Sequence, residues 1–287
     1  MTTAGEAGDL QSWVGRQEIT DALVTAYNAD AMAATLDRDD PPGQIGDPIP
    51  PGWHQFYLRE VVKLKDTGPD GHPKRGGFQP PIDLPRRMWA GTQSTFHRPI
   101  RIGETIRRVS TIAAVTPKSG KSGRLVFLQL RHEISGPQGL ATTEMQDVVY
   151  REAAAPGVAP PAPPPAPGKA VWRRAIHPTP VLLFRMSALT MNSHRIHYDR
   201  PYAVETEGYP GLLVHGPLTQ ILLMDLFRRA LPTATLETFA VRAVSPLYDV
   251  HDFSVEGAPC GDGRSATLWA LNHQGRLAMS AEATFTP

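Results

Sequence analysis

One segment constrains this chain more than any other. Residues 153–168 read AAAPGVAPPAPPPAPG, in which seven of 16 residues are proline and six are alanine. Proline has no backbone N–H and a fixed φ, so this stretch can join neither a sheet nor a helix and favours extended polyproline conformations. It reads as a semi-rigid spacer between two units, 1–152 and 169–287, each long enough to bury a core. The other reading is a disordered insertion within one domain.

The two flanks follow one plan: an early helix, a loop-rich stretch, then several strands. In the first flank Ile19, Leu23, Val24, Tyr27 and Ala31 are spaced as one helix face, which predicts a helix from Trp13 to about Leu36. Strands are predicted at Glu104–Val115, Arg124–Ile134 and Leu140–Arg151, with a turn at Pro117–Gly123. In the second flank residues 181–190 are apolar and Pro217–Ala230 is amphipathic. Strands are predicted there at Glu237–Ala243, His251–Gly257, Ser265–Asn272 and Leu277–Phe285. A helix followed by an antiparallel meander predicts an α+β fold, with a curved sheet wrapped around a helix in each half.

Lys and Arg number 29 against 28 Asp and Glu, so a net charge of +1 gives no overall field for nucleic acid or an anionic membrane. No apolar run approaches the roughly 20 residues of a membrane helix. The polar, acidic start Met1–Glu6 is unlike a secretory signal. A single Cys260 excludes an intrachain disulfide framework and a multi-cysteine zinc site. The expectation is a soluble, cytoplasmic protein acting on small molecules.

The chemistry is concentrated between Arg185 and Leu226, where three of the ten histidines (His194, His197, His215) lie close to Asp199 and Glu205. Three readings compete. A metal site from His194, His197 and Asp199 matches none of the usual zinc spacings. A turn stabilised by His and Asp side chains is the plain alternative. The third is general acid–base work, for which histidine has the side-chain pKa nearest neutrality. Downstream, Gly216-Pro217 opens an apolar helix, because proline is tolerated at the first helical position. Such a start presents free N–H groups and a positive dipole end, and Pro217 leaves the Gly216 N–H as the donor for a ligand oxygen. It reads either as an oxyanion site or as a helix cap with no catalytic part.

The run Ser187-Ala188-Leu189-Thr190-Met191-Asn192-Ser193-His194-Arg195-Ile196-His197-Tyr198-Asp199, followed by Tyr202-Ala203 and Val214-His215-Gly216, resembles the signature of MaoC-like, R-specific enoyl-CoA hydratases. It is closer to the branch holding 3-methylfumaryl-CoA (mesaconyl-C4-CoA) hydratases, itaconyl-CoA hydratases and hydroxyacyl-thioester dehydratases of type 2. Gly76-Gly77-Phe78-Gln79-Pro80-Pro81 and Arg86-Arg87-Met88-Trp89-Ala90-Gly91 resemble the companion domain of that branch. The resemblance implies a double hotdog fold, an acyl-CoA thioester substrate, and no metal or redox cofactor. It divides the chain into a companion domain at 1–152, a linker at 153–168 and a catalytic domain at 169–287, with homodimers as the possible assembly.

The family signature pairs an aspartate with a histidine five residues later. The histidine maps onto His197, but the aspartate position holds Asn192, which can orient water yet cannot accept a proton. The resemblance therefore implies that His197 transfers the proton, Asn192 positions water, and Gly216 N–H supports the enolate. His194 stands where the broader signature has an asparagine and is a second titratable candidate. Asp199 orients His197 or the turn, and His215 shapes the helix entry. A dicarboxylyl-CoA also requires a cation for its second carboxylate, and arginine suits that task by bidentate bonding. Arg195, Arg200, Arg86 and Arg87 are the candidates, with Trp89, Phe78 and Trp53 as pocket walls. The implied activity is reversible hydration of an unsaturated acyl-CoA, of C5 dicarboxylyl type. The alternatives are a dehydratase for longer 3-hydroxyacyl thioesters and a non-catalytic acyl-CoA-binding protein.

Overall fold

The computed structural model describes residues 10–74, 76–120, 123–152 and 162–287. Most of the spacer, 153–161, lies outside them. Ten strands form one antiparallel sheet: β1 (Gln17–Leu23), β2 (Arg86–Phe96), β3 (Thr105–Gly120), β4 (Gly123–Gly136), β5 (Gly139–Arg151), β6 (Trp172–Ile176), β7 (Thr235–Ala243), β8 (Phe253–Pro259), β9 (Ser265–Leu271) and β10 (Leu277–Thr286). Their spatial order is β1-β3-β4-β5-β2-β7-β10-β9-β8-β6. The first five strands therefore make one side of the sheet and the last five the other. The seam is β2 against β7, in register from Gly91↔Arg242 to Thr95↔Thr238. At the far end of the spacer, Leu277 N–H donates to Pro164 O at 2.8 Å, which ties the chain to the β9–β10 turn as it enters the second half.

Among the described residues, the α-helices α1 (Ala26–Thr35), α2 (Pro180–Thr190) and α3 (Gly216–Ala230) accompany the sheet. The third is the central helix of the second half. Every residue from Leu218 to Phe227 is buried, as expected of a helix enclosed by a curved sheet rather than laid on a surface. Asp225 within it is stabilised by an ionic knot, with Arg38 Nη1 at 2.6 Å, Arg174 Nη1 at 2.8 Å and Arg229 Nε at 2.7 Å. Arg38 belongs to the first half, so this knot also joins the halves.

Two expectations are corrected. The single helix predicted over Trp13–Leu36 is a strand followed by the shorter α1. Ile19 and Leu23 are four apart, which suits a helix face but equally one face of a strand. Pairing with β3 decides the matter, from Gln17↔Thr111 to Leu23↔Thr105. Ile19 and Leu23 then point outward and are 58% and 56% exposed. The turn predicted at Pro117–Gly123 is instead the end of a long hairpin, laddered through Pro117↔Val126 to Gly120↔Gly123. Pro117 is tolerated because β1 pairs β3 only up to Thr111, so its missing N–H leaves no ladder bond unmade. The sequence reading did not anticipate β2 or β6.

Candidate active site

α2 begins at a Thr179 cap, whose Oγ1 accepts from Leu182 N at 3.2 Å, and stops at Met191 in the left-handed conformation. The chain then turns through Asn192–His194 into a single 3-10 turn, Arg195–His197. This places His197 against the strand-like approach to α3. Its Nδ1 lies 2.7 Å from Leu213 O. A carbonyl only accepts, so Nδ1 carries the hydrogen and Nε2 is left with its lone pair, the form a general base requires. Burial pushes the His197 pKa down to about 4, so the ring is neutral at pH 7.

His215 stacks on His197 with ring centroids 3.6 Å apart and 16° between planes. It is 1% exposed, and its Nε2 shares a hydrogen bond with Ser187 Oγ of α2 at 2.9 Å. Burial and then the neighbouring imidazoles push its pKa well down. His194 stands perpendicular to His197, 5.6 Å away, and burial followed by His72 and His197 likewise disfavours its charged form. One residue beyond His215, α3 starts at Gly216. A Cβ there would lie 2.7 Å from Trp89 Cε3, so glycine is what lets a companion-half indole close over the helix start. His197, His194, His215, Gly216 and Trp89 are thus brought together.

Sequence reasoning missed two members of the cluster. His72, from the run Gly68-Pro69-Asp70-Gly71-His72-Pro73, lies 3.8 Å from His194 ring to ring. Asp70 Oδ2 lies 3.1 Å from His72 Nδ1, and this hydrogen bond holds the Asp70 carboxyl well below its usual range. The loop is latched onto the motif: Arg195 N–H donates to Asp70 O at 2.9 Å, and Ser193 Oγ donates to Gly71 O at 2.5 Å. Gly71 has φ +87°, and any Cβ there would collide with Ser193 O. The only local signal was the turn-rich composition of the loop. Asp70, His72 and His194 also offer ligand atoms within 4.8 Å of one another, although here the carboxylate is committed to the His72 imidazole. The set weighed from sequence, His194, His197 and Asp199, is not assembled.

The other expected residues are spent on the protein itself. Arg195 donates from Nε and Nη2 to Asp199 Oδ2 at 2.9 and 2.8 Å, and Asp199 Oδ1 accepts from Tyr202 N. Asp199 therefore shapes the turn and does not touch His197. Arg200 pairs with Asp249, and Arg86 with Glu207. Arg87 has no hydrogen-bond or ion-pair partner among the described residues, yet it acts electrostatically on His194. Asn192 Oδ1 accepts from His194 N–H at 3.0 Å, so its carbonyl braces the loop and only Nδ2 remains for a ligand. Trp53 is buried in the shared core, while Phe78 packs on a separate cluster in the first half.

Comparison with known proteins identifies the family and the fold. The model of the family "Hydroxyacyl-thioester dehydratase type 2" matches residues 52–249. The mesaconyl-C(4)-CoA hydratase of Chloroflexus aurantiacus is 43% identical over 275 residues, 96% of this chain and 97% of its own length. A solved MaoC-like dehydratase superposes with a TM-score of 0.69 at 13% identity, over 96% of this chain and 99% of that one. A Mycobacterium tuberculosis protein described as a double hotdog does so at 0.54 and 15% identity, over 95% and 96%. The fold is the double hotdog, and the chain belongs to the hydroxyacyl-thioester dehydratase type 2 family.

Proposed function

We propose that this protein adds water reversibly across the double bond of an α,β-unsaturated acyl-CoA, of the C5 dicarboxylyl type represented by 3-methylfumaryl-CoA (mesaconyl-C4-CoA) or itaconyl-CoA. The observation that carries the reading is the pairing of a neutral His197, its Nε2 lone pair fixed by the bond to Leu213 O, with the start of α3 at Gly216. The thioester makes the β-carbon electrophilic. His197 Nε2 takes a proton from water as its oxygen bonds that carbon. The π electrons move onto the thioester oxygen, where Gly216 N–H and the helix dipole stabilise the enolate. His197 Nε2–H then gives that proton to the α-carbon, which restores the neutral imidazole, and the reverse path expels water. The chemistry asks for no metal or redox cofactor. Arg87, the one candidate arginine whose side chain has no hydrogen-bond or ion-pair partner among the described residues, is the group for a carboxylate near the reacting carbons.

The test is a panel of mesaconyl-C4-CoA, itaconyl-CoA and crotonyl-CoA, followed by loss of conjugated absorbance and by the mass gain of one water. Turnover of a dicarboxylyl-CoA, reduced about 1,000-fold in His197→Ala, is the expected result. Thioester binding with no hydration of any member would refute the reading and leave an acyl-CoA-binding protein.

A further inference from the structure

The first half has a polar interior, burying His54, Ser94, Ser110 and His132, and these groups face polar partners. Ser94 Oγ donates to Glu144 Oε1 at 2.9 Å, and His54 Nε2 lies 3.3 Å from Glu144 Oε2. His132 bonds Ser110 Oγ at 2.9 Å and Gln146 Oε1 at 3.1 Å, so both of its nitrogens are used. The second half treats a buried histidine differently. His215 is the most buried of the ten, at 1% exposed, yet its Nδ1 is enclosed with no hydrogen-bond partner among the described residues. Buried polar atoms in folded proteins nearly always have a partner, and one left without it calls for an explanation.

The orphan nitrogen sits at the reaction centre by direct contact. His215 is the cap of α3, in extended conformation with φ −61° and ψ 131°. Its Nδ1 is three bonds from Cα, where an Asn or Asp cap carries its oxygen, but the side chain bonds no N–H of the first turn. Covalent geometry keeps Nδ1 within about 6 Å of Gly216 N in any rotamer, so one oxygen seated at the helix start is in reach of both. The rest of the ring is held in place. One face stacks on His197 with centroids 3.6 Å apart, and Nε2 lies 2.9 Å from Ser187 Oγ. His197 is in turn bonded to the carbonyl of Leu213, two residues before His215.

We infer that His215 Nδ1–H is a second donor to the thioester oxygen, beside Gly216 N–H, and so a catalytic residue of the same reaction. The inference rests on the hydratase reading and adds a group to it. Ser187 makes the required tautomer. Its Oγ has no other hydrogen bond among the described residues, and a hydroxyl can donate as well as accept. With Ser187 O–H donating to Nε2, the single ring hydrogen of a neutral His215 sits on Nδ1. Burial, then His197 and His194, keep the ring neutral. A proton arriving on His197 as water attacks strengthens that effect, so His215 donates a hydrogen bond and takes no proton. Its hydrogen stays on Nδ1 throughout, while negative charge grows on the oxygen that it faces.

The experiment compares the wild-type full chain with His215→Asn, His215→Gln and Ser187→Ala. Asn carries an amide nitrogen three bonds from Cα, in place of Nδ1, and Gln carries one four bonds out, in place of Nε2. Both remove the ring from the His197 stack, so lost packing is common to the two and cancels in their comparison. Two readouts are taken: kcat and KM on mesaconyl-C4-CoA and crotonyl-CoA, and the infrared stretch of an isotope-labelled thioester carbonyl in bound 3-methylsuccinyl-CoA or butyryl-CoA, which have no double bond to hydrate. The expected result is a kcat about 100-fold lower in His215→Gln and within about 10-fold of wild type in His215→Asn, with KM little changed. The carbonyl stretch should move to lower frequency in the wild type and His215→Asn, and less so in His215→Gln and Ser187→Ala. Equal losses in Asn and Gln with an unaltered carbonyl shift would make His215 a packing residue and overturn the inference. A larger loss in Asn than in Gln would assign the effect to the Ser187 bond, with the same consequence. If the His215 variants do not fold, the carbonyl shift in Ser187→Ala decides: a smaller shift sustains the inference and an unchanged one ends it. If the wild type binds thioesters but hydrates none, the hydratase reading fails, and the carbonyl shifts alone decide on His215. A wild type that binds no thioester ends both.

Discussion

At the scale of single residues, position 197 shows how burial and one hydrogen bond make a base. The carbonyl of Leu213 selects the tautomer, and burial removes the charged form. Activity limited by this base should hold level as pH falls through 6.5 and decline only near pH 4, which a kcat/KM profile from pH 4 to 8 would show. Gly216 has a different task, keeping its N–H open beneath Trp89. Gly216→Ala puts a methyl group against the indole and should lower kcat about 100-fold, the typical loss of one oxyanion donor. Steady-state kinetics on the preferred thioester would show it. These two residues and His194 and His215 were legible in the sequence because the motif is local. Asp70 and His72 were not, because what makes them part of the site is a latch between residues 122 apart, Gly71 and Ser193.

At the scale of elements, the accuracy of a sequence reading follows the ambiguity of its period. α3 was read almost to the residue, since the Gly216-Pro217 start and the apolar spacing of Leu218, Ile221, Leu222 and Leu226 mark a helix from its first turn. β1 was misread because a four-residue apolar spacing serves a strand as well as a helix. The Asp225 knot makes α3 an anchor for both halves, because Arg38 and Arg174 reach it from outside the helix. Asp225→Ala would remove the counter-charge that three guanidiniums share and should cost about 3 kcal/mol, measured as a shift in urea midpoint. Leu222→Ala, a cavity in the same helix, should cost about 3 kcal/mol as well. A cost below about 1 kcal/mol for Asp225→Ala would mean that solvent satisfies the arginines.

At the scale of the whole molecule, the β2–β7 seam makes the halves parts of one sheet, and one core cluster draws on both. Expressed separately, 1–152 and 169–287 should each expose an unpaired strand and fail to give a cooperative melt; two independent transitions would contradict this. The molecule also carries a shared acid sensitivity. His132, His194, His197 and His215 all have pKa values depressed by burial. The unfolded chain therefore binds more protons than the native one below about pH 6.5, so stability is full above that pH and is lost as pH falls towards 4. Urea midpoints at pH 7, 6, 5 and 4 should decrease in that order. The sequence by itself determined the two-part plan, the enclosed helix and the histidine motif, because proline content, apolar period and short spacings are properties of neighbours along the chain. Only the tertiary structure decided which arginines are spent on Asp199, Glu207 and Asp249 and which remain open. It alone brought Asp70 and His72 to the motif and made the first half's interior polar, since each depends on which strands and loops meet across the sheet.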